Sequence, residues 1–216
     1  MSKILLNATN IAHKFDYQLF SNIDFKLHEK ESIAIVGRSG SGKSTLLHIF
    51  STFIKPNEGE VTLLDQKIYN LTEDKIEAMR RYDLGIIFQA HYLFKGMTAL
   101  MNIEIATLLS KEKIDEKLLE RLEIKELMNQ KIGELSGGQQ QRISIARVLS
   151  KRPKVIFADE PTGNLDKETA KLVIDVLLEY IEQNSSALLL VTHDEEMAKL
   201  CSRSFRLEQQ ELKEIS

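Results

Sequence analysis

The chain has 216 residues, 43% hydrophobic and 28% charged, with a formal net charge of −3. That length and balance describe a globular domain able to bury a substantial core, and without a basic field no nucleic-acid partner is expected. The lone cysteine, Cys201, rules out an internal disulfide and reads as a small buried hydrophobe in a reducing compartment. Met1–Asn7 turns polar too soon for a signal peptide, and no run approaches the roughly 20 apolar residues of a membrane helix. The expectation is a soluble chain that meets a membrane only through a partner.

Residues 4–27 hold two strands, the second written as Ile23, Phe25 and Leu27 alternating with Asp24 and Lys26, a half-buried antiparallel signal. Phe15, at a strand end, suits either the core or stacking on a flat ligand. Ser32–Val36 is an apolar strand that runs into Gly37-Arg38-Ser39-Gly40-Ser41-Gly42-Lys43-Ser44-Thr45 and then a helix. Gly37 and Gly42-Lys43-Ser44 match G-x-x-x-x-G-K-[ST] in its required strand–loop–helix setting. The glycines let backbone N–H groups curl around an anion, and the helix N-terminus adds partial positive charge. Lys43 is the charge for a β/γ-phosphate, and the Ser44 hydroxyl is a Mg²⁺ ligand.

The helix after this loop closes at Pro56-Asn57-Glu58-Gly59, a strand follows over 60–64, and Thr72 starts a helix reaching about Arg81. Leu84–Phe88 reads as a buried strand ending at Gln89. From Thr98 to about Arg121 the apolar spacing is helical, so roughly 90–150 is a helical insertion. Within 89–103, Tyr92, Leu93, Phe94 and Met97 place four large apolar side chains in an expected exposed loop, where they either pack against the chain's own helical insertion or form a groove that receives a short helix from another subunit. Ser136-Gly137-Gly138-Gln139 makes a second glycine turn opening a helix, an anion-binding geometry without a lysine. Val155–Ala158 is a strand ending in Asp159-Glu160, Asp166 caps a helix with one apolar stripe, and Ala187–Val191 is a strand ending at Thr192-His193.

Strands alternating with helices indicate an α/β fold with a mostly parallel sheet covered on both faces. Ligands of such sheets collect at the carboxyl ends of strands, where Gly37, Gln89, Asp159, Glu160 and His193 all fall. Asp159 suits Mg²⁺, and Glu160 can polarise an attacking water.

Taken in order, the 37–45 loop, Gln89, Leu135-Ser136-Gly137-Gly138-Gln139, Asp159-Glu160, Asn164-Leu165-Asp166 and His193 resemble the ATP-binding subunit of ABC transporters over almost the whole chain. The resemblance implies one domain over 1–216, a P-loop NTPase core with N-terminal antiparallel strands and the inserted helical subdomain at about 90–150. It also implies Mg²⁺-dependent ATP hydrolysis. Phe15 then takes the place of the aromatic, usually Tyr, that stacks on adenine. Gln89 senses Mg²⁺ and water, and His193 contacts the γ-phosphate. Ser136, Gly137, Gly138 and Gln139 face the ATP of the other subunit in a head-to-tail homodimer around two ATP molecules, whose two sites Asp166 links. Integral membrane transporter subunits are the implied partners, with the chain peripheral on the cytoplasmic face of the inner (plasma) membrane.

Within the family, Gly85–Phe94, Met97–Ile103 and Asp159–Asp166 resemble the group of lipoprotein-releasing (LolD), macrolide-exporting and FtsE-like cell-division ATPases. Met101 and Lys95-Gly96 depart from it where a membrane subunit would touch. The leading reading is an ATPase subunit for lipoprotein release or a related export; the alternative is an FtsE-like mechanical ATPase that moves no substrate. DNA-repair ATPases that share the site carry long coiled coils, and no sustained heptads occur here.

Overall fold

A computed structural model describes residues 2–215; Met1, the first residue of the stretch read for a signal peptide, lies outside them. The first half contains β1 (Ile4–Lys14), β2 (Gln18–His28), β3 (Ser32–Val36), α1 (Lys43–Phe50), β4 (Glu58–Leu63), β5 (Gln66–Lys67), α2 (Glu73–Tyr82) and β6 (Leu84–Ile87). It continues with α3 (Ala99–Ser110), α4 (Glu116–Arg121), α5 (Gly137–Leu149), β7 (Val155–Asp159), α6 (Lys167–Asn184), β8 (Ala187–Val191), α7 (Glu195–Ala198), β9 (Arg203–Glu208) and β10 (Glu211–Glu214).

The strands form a four-stranded antiparallel sheet, β2-β1-β4-β5, and a six-stranded sheet, β10-β9-β3-β8-β7-β6. In the second sheet β9, β3, β8, β7 and β6 run parallel and only the β10 edge is antiparallel. Its central strands are buried on both faces because each side-chain set has its own core to enter. Ile33, Ile35, Val155, Phe157, Leu189 and Val191 meet α1 and the antiparallel sheet on one side. Ala34, Val36, Ile156, Ala158, Leu188 and Leu190 meet the layer of α5 and α6 on the other. The second core continues through Ile103, Leu119, Leu122 and Ile132, which ties the helical stretch after β6 to the sheet. Cys201 is buried, with its thiol pushed up to about 11 by burial.

Several expected elements are redrawn. The helical pattern of 98–121 is two helices, because Lys111 ends α3 in a left-handed conformation (φ 63°). Thr98 caps α3, its side-chain oxygen accepting from Met101 N at 3.2 Å. Thr72 stands at the expected helix start, yet its side chain makes no cap bond, and Lys75 and Ile76 N–H donate to its backbone carbonyl instead. The helix after the phosphate loop ends at Phe50, not at Pro56, because Thr52 turns left-handed (φ 77°). Arg80 holds that turn, Nη2 donating to Thr52 O at 2.6 Å. β9 and β10 escape sequence reading: Arg203-Ser204-Phe205-Arg206-Leu207 alternates, but too briefly and with too many charges to stand out.

Candidate active site

The carboxyl ends of β3, β6, β7 and β8 converge on one side of the parallel sheet, and the loops that leave them build the site. Beyond β3, residues 37–42 curl back onto the start of α1. Two glycines are obligatory in that curl. A Cβ on Gly37 would stand 2.6 Å from Leu207 O, and Gly42 has φ 98° with Phe20 packed beneath it. Lys43, buried in the first turn of α1, donates from Nζ to Gly37 O and Arg38 O, both at 3.0 Å, so its ammonium lies inside the loop. Ser41 Oγ is buried there without a partner among the described residues.

Ser44, next on α1, donates to Asp159 Oδ1 at 2.9 Å across 115 positions of sequence. Burial pushes the Asp159 carboxyl above its usual range, and the Ser44 hydrogen bond opposes that rise. Glu160 follows in a left-handed conformation (φ 48°). Its Oε2 accepts from His193 Nδ1 at 2.8 Å and from Thr192 Oγ1 at 3.3 Å.

Lys43, Ser44, Glu160 and His193 line a cavity of about 610 Å³ together with Phe15, Ser39, Gly40, Gly42, Thr45 and Gln89. An adjoining cavity of about 570 Å³ is lined by Gly37, Arg38, Ser39, Ser41 and His193 with Arg206 and Glu208. Phe15 is 59% exposed and stands at the rim, so the choice between core and stacking surface resolves to an open aromatic face.

Other expected site residues lie elsewhere. Ser136, Gly137, Gly138 and Gln139 are not among the cavity-lining residues. They form the N-terminus of α5, where Ser136 and Gln139 make a reciprocal capping box, Ser136 N donating to Gln139 Oε1 at 2.9 Å and Gln139 N to Ser136 Oγ at 3.3 Å. Asp166 caps α6, with Thr169 N and Thr169 Oγ1 donating to its two oxygens at 2.9 and 2.7 Å. Those bonds hold its carboxyl below the usual range.

Residues 89–103 depart from one uniformly exposed loop. Tyr92 and Phe94 are exposed, whereas Leu93 between them packs on the core. Asn102 pins the segment, accepting from Phe94 N at 2.8 Å. Sequence reading missed what holds the other side. Arg147 on α5 donates to Tyr92 O at 2.8 Å and His91 O at 3.2 Å, and Ser144 Oγ donates to His91 O at 3.1 Å. Gln141 bridges His91 Nδ1 to Pro161 O. The available signal was a run of polar residues on the face of α5 that a regular amphipathic helix would bury.

Residues 20–163 match the ABC transporter family. This chain belongs to the ABC transporter family. Two curated relatives of this ABC chain are lipoprotein-releasing system ATP-binding proteins LolD. The one from Hydrogenovibrio crunogenus is 38% identical over 96% of the chain and 95% of the relative. The one from Treponema denticola is 38% identical over 91% and 90%. An ABC transporter ATP-binding protein of Escherichia coli, YbbA, is 37% identical over 92% and 90%. Among solved structures, the dimeric post-hydrolysis state of the ATP-binding cassette MJ0796 bound to ADP and phosphate aligns with a TM-score of 0.87. It is 30% identical, covering 98% of this ABC chain and 99% of that one. The fold expected from the sequence is therefore the fold of ABC cassettes.

Proposed function

We propose that this ABC ATPase binds ATP in the cavity between Phe15 and the 37–45 loop, hydrolyses it with Glu160 as base, and does so as a head-to-tail pair of chains. The observation that carries the reading is the convergence of Lys43, the Ser44–Asp159 pair and the Glu160–His193 pair on one cavity at the strand ends. Backbone N–H groups of residues 38–43 and the Lys43 ammonium take the triphosphate, and Phe15 takes the base. The buried, unpartnered Ser41 hydroxyl and the inward Lys43 are what an anion in this loop would satisfy.

Ser44 and Asp159 fit Mg²⁺, which needs only one or two protein oxygens beside phosphate and water. When bound there, Mg²⁺ would neutralise developing phosphate charge. Glu160 accepts the proton of the attacking water as the bond from the γ-phosphorus to the β–γ bridging oxygen breaks. His193 and Thr192 hold its carboxylate, and Gln89 faces the same space. Ser136 to Gln139, a helix N-terminus whose Ser136 and Gly137 are exposed, would close the partner's site, and Asp166 would lie between the two.

Among the described residues no helix is long and apolar enough to cross a membrane. We place the chain on the cytoplasmic face of the inner membrane, held there by integral membrane subunits, in lipoprotein release or a related export as the names of its relatives suggest. Exposed Tyr92 and Phe94 would receive a short helix of that partner. Because Ser136 caps α5 and α5 grips His91 and Tyr92, a nucleotide on Gln89, or the partner's nucleotide on this chain's Ser136, would move the docking loop.

Complementation tests the shared site. Lys43→Ala and Ser136→Arg chains should each be inactive alone. In a mixed dimer one composite site carries both defects and the other neither, so mixing should recover hydrolysis. No recovery in verified heterodimers overturns the head-to-tail arrangement.

A further inference from the structure

Behind Phe15, which lines the cavity beside the phosphate loop, lies a residue that the hydrolysis scheme leaves without a task. His13 lies on β1, two positions before Phe15, and is 6% exposed. Neither ring nitrogen has a hydrogen-bond partner among the described residues. Burying an imidazole with both nitrogens unpartnered is costly, and sheet packing alone would favour an apolar side chain.

What the ring does have is a pair of aromatic neighbours. Phe15 lies 4.9 Å away between ring centroids with the planes at 88°, and Phe20 lies 6.4 Å away at 32°. Phe20 is the partner of His13 in the β1–β2 register, and it is fully buried. Its ring also supports the phosphate loop, since a Cβ on Gly42 would stand 3.2 Å from it. Gln18 braces the same place, its Nε2 donating to His13 O at 3.3 Å and Phe20 O at 2.5 Å. A continuous run of contacts therefore leads from Gly42 through Phe20 and His13 to Phe15. Burial lowers the pKa of His13 below the ordinary histidine value, so at neutral pH the ring is uncharged and packs as an aromatic.

We infer that His13 is a positioning residue for nucleotide binding, one that fixes the ring of Phe15 relative to the phosphate loop so that base and triphosphate are held at a set separation. The inference rests on reading Phe15 as the base-stacking residue. Phe15 is largely exposed and leaves the strand for a short turn, so without the imidazole against it the ring would sample many orientations before a base arrived. Pre-organisation of this kind strengthens binding by removing an ordering cost, and an edge-to-face aromatic pair accounts for about three- to tenfold in affinity.

The test compares His13→Ala, His13→Phe and Phe15→Ala in the complete chain. KM and kcat are measured for ATP, together with inhibition by inorganic tripolyphosphate, which fills the loop without a base. The expected result for His13→Ala is a KM for ATP raised about three- to tenfold, kcat within about twofold, and an unchanged inhibition constant for tripolyphosphate. His13→Phe, which restores an aromatic edge without the nitrogens, should bring KM back to within about twofold of wild type. An unchanged KM in His13→Ala beside a raised KM in Phe15→Ala overturns the inference and leaves the Phe15 reading standing. Unchanged KM in both variants removes the Phe15 reading and the inference with it. A tripolyphosphate constant that weakens as much as KM also overturns it, because His13 would then be shaping the phosphate loop alone. Should His13→Ala fail to fold, His13→Leu fills the volume without an aromatic edge and serves the same comparison.

Discussion

Exchanging Glu160 for Gln isolates the proton-accepting step from everything around it. In the wild-type chain Oε2 accepts from His193 Nδ1 at 2.8 Å and Thr192 Oγ1 at 3.3 Å, and the side chain is 15% exposed. An amide of the same shape keeps an acceptor oxygen for both donors and loses only the charge on them, a difference of about 1 kcal/mol. The Ser44–Asp159 pair and the Lys43 contacts are untouched, so fold and ATP affinity should hold to within about threefold. What the amide cannot do is take a proton. Positioned general-base catalysis contributes about 10²- to 10⁴-fold, or about 3–5 kcal/mol of barrier. Phosphate release under saturating ATP should fall by that factor. Gel filtration with ATP should then show a dimer that wild type, which turns its nucleotide over, does not accumulate. A kcat within tenfold of wild type would refute Glu160 as the base and turn attention to His193. An ATP affinity weakened more than tenfold would mean that Glu160 serves binding instead.

Two further outcomes follow from other parts of the molecule. Tyr92→Ser combined with Phe94→Ser should abolish copurification with the membrane partner while the melting temperature moves by less than about 2 °C, since both rings are exposed. Leu93→Ser should instead lower the melting temperature, because that side chain packs on the core, and the opposite assignment would place the docking surface elsewhere. Lys151 offers a pH test: its Nζ donates to Arg80 O and Leu84 O, both at 2.8 Å, and burial lowers its pKa to about 8. The unfolded chain therefore binds more protons than the folded one between about pH 8 and 10.5, so this group makes stability rise with pH across that window, by at most about 3 kcal/mol. Lys151→Met should flatten that rise in denaturant unfolding at pH 7.5 and 9.5, and a wild-type slope no steeper than the variant's would refute the burial argument.

The glycine loop after β3, the paired acids at the end of β7 and the strands around them were legible in the sequence because their signals are local. An apolar run of five, a glycine at a forced turn or an acid at a strand end each depends on near neighbours alone. Lys43, Ser44, Gln89, Asp159, Glu160 and His193 could all be named that way, and so could the capping role of Asp166, whereas the capping box of Ser136 and Gln139 came from the structure. Tertiary structure decided what the pattern left open. Ser44 meets Asp159 only because β3 and β7 flank β8 in the sheet order, a non-local fact. Phe15 is open rather than buried because His13 and Phe20 already fill the space beneath it. The loop after Gln89 divides into an anchor at Leu93 and exposed rings at Tyr92 and Phe94, and the polar residues Gln141, Ser144 and Arg147 hold it from more than forty positions away. β9 and β10 form because β3 leaves an edge for a charged, weakly patterned segment to pair with. Periodicity reports which face of an element is buried, whereas the identity of the neighbour on that face depends on how the chain returns, and that information is spread over the whole fold.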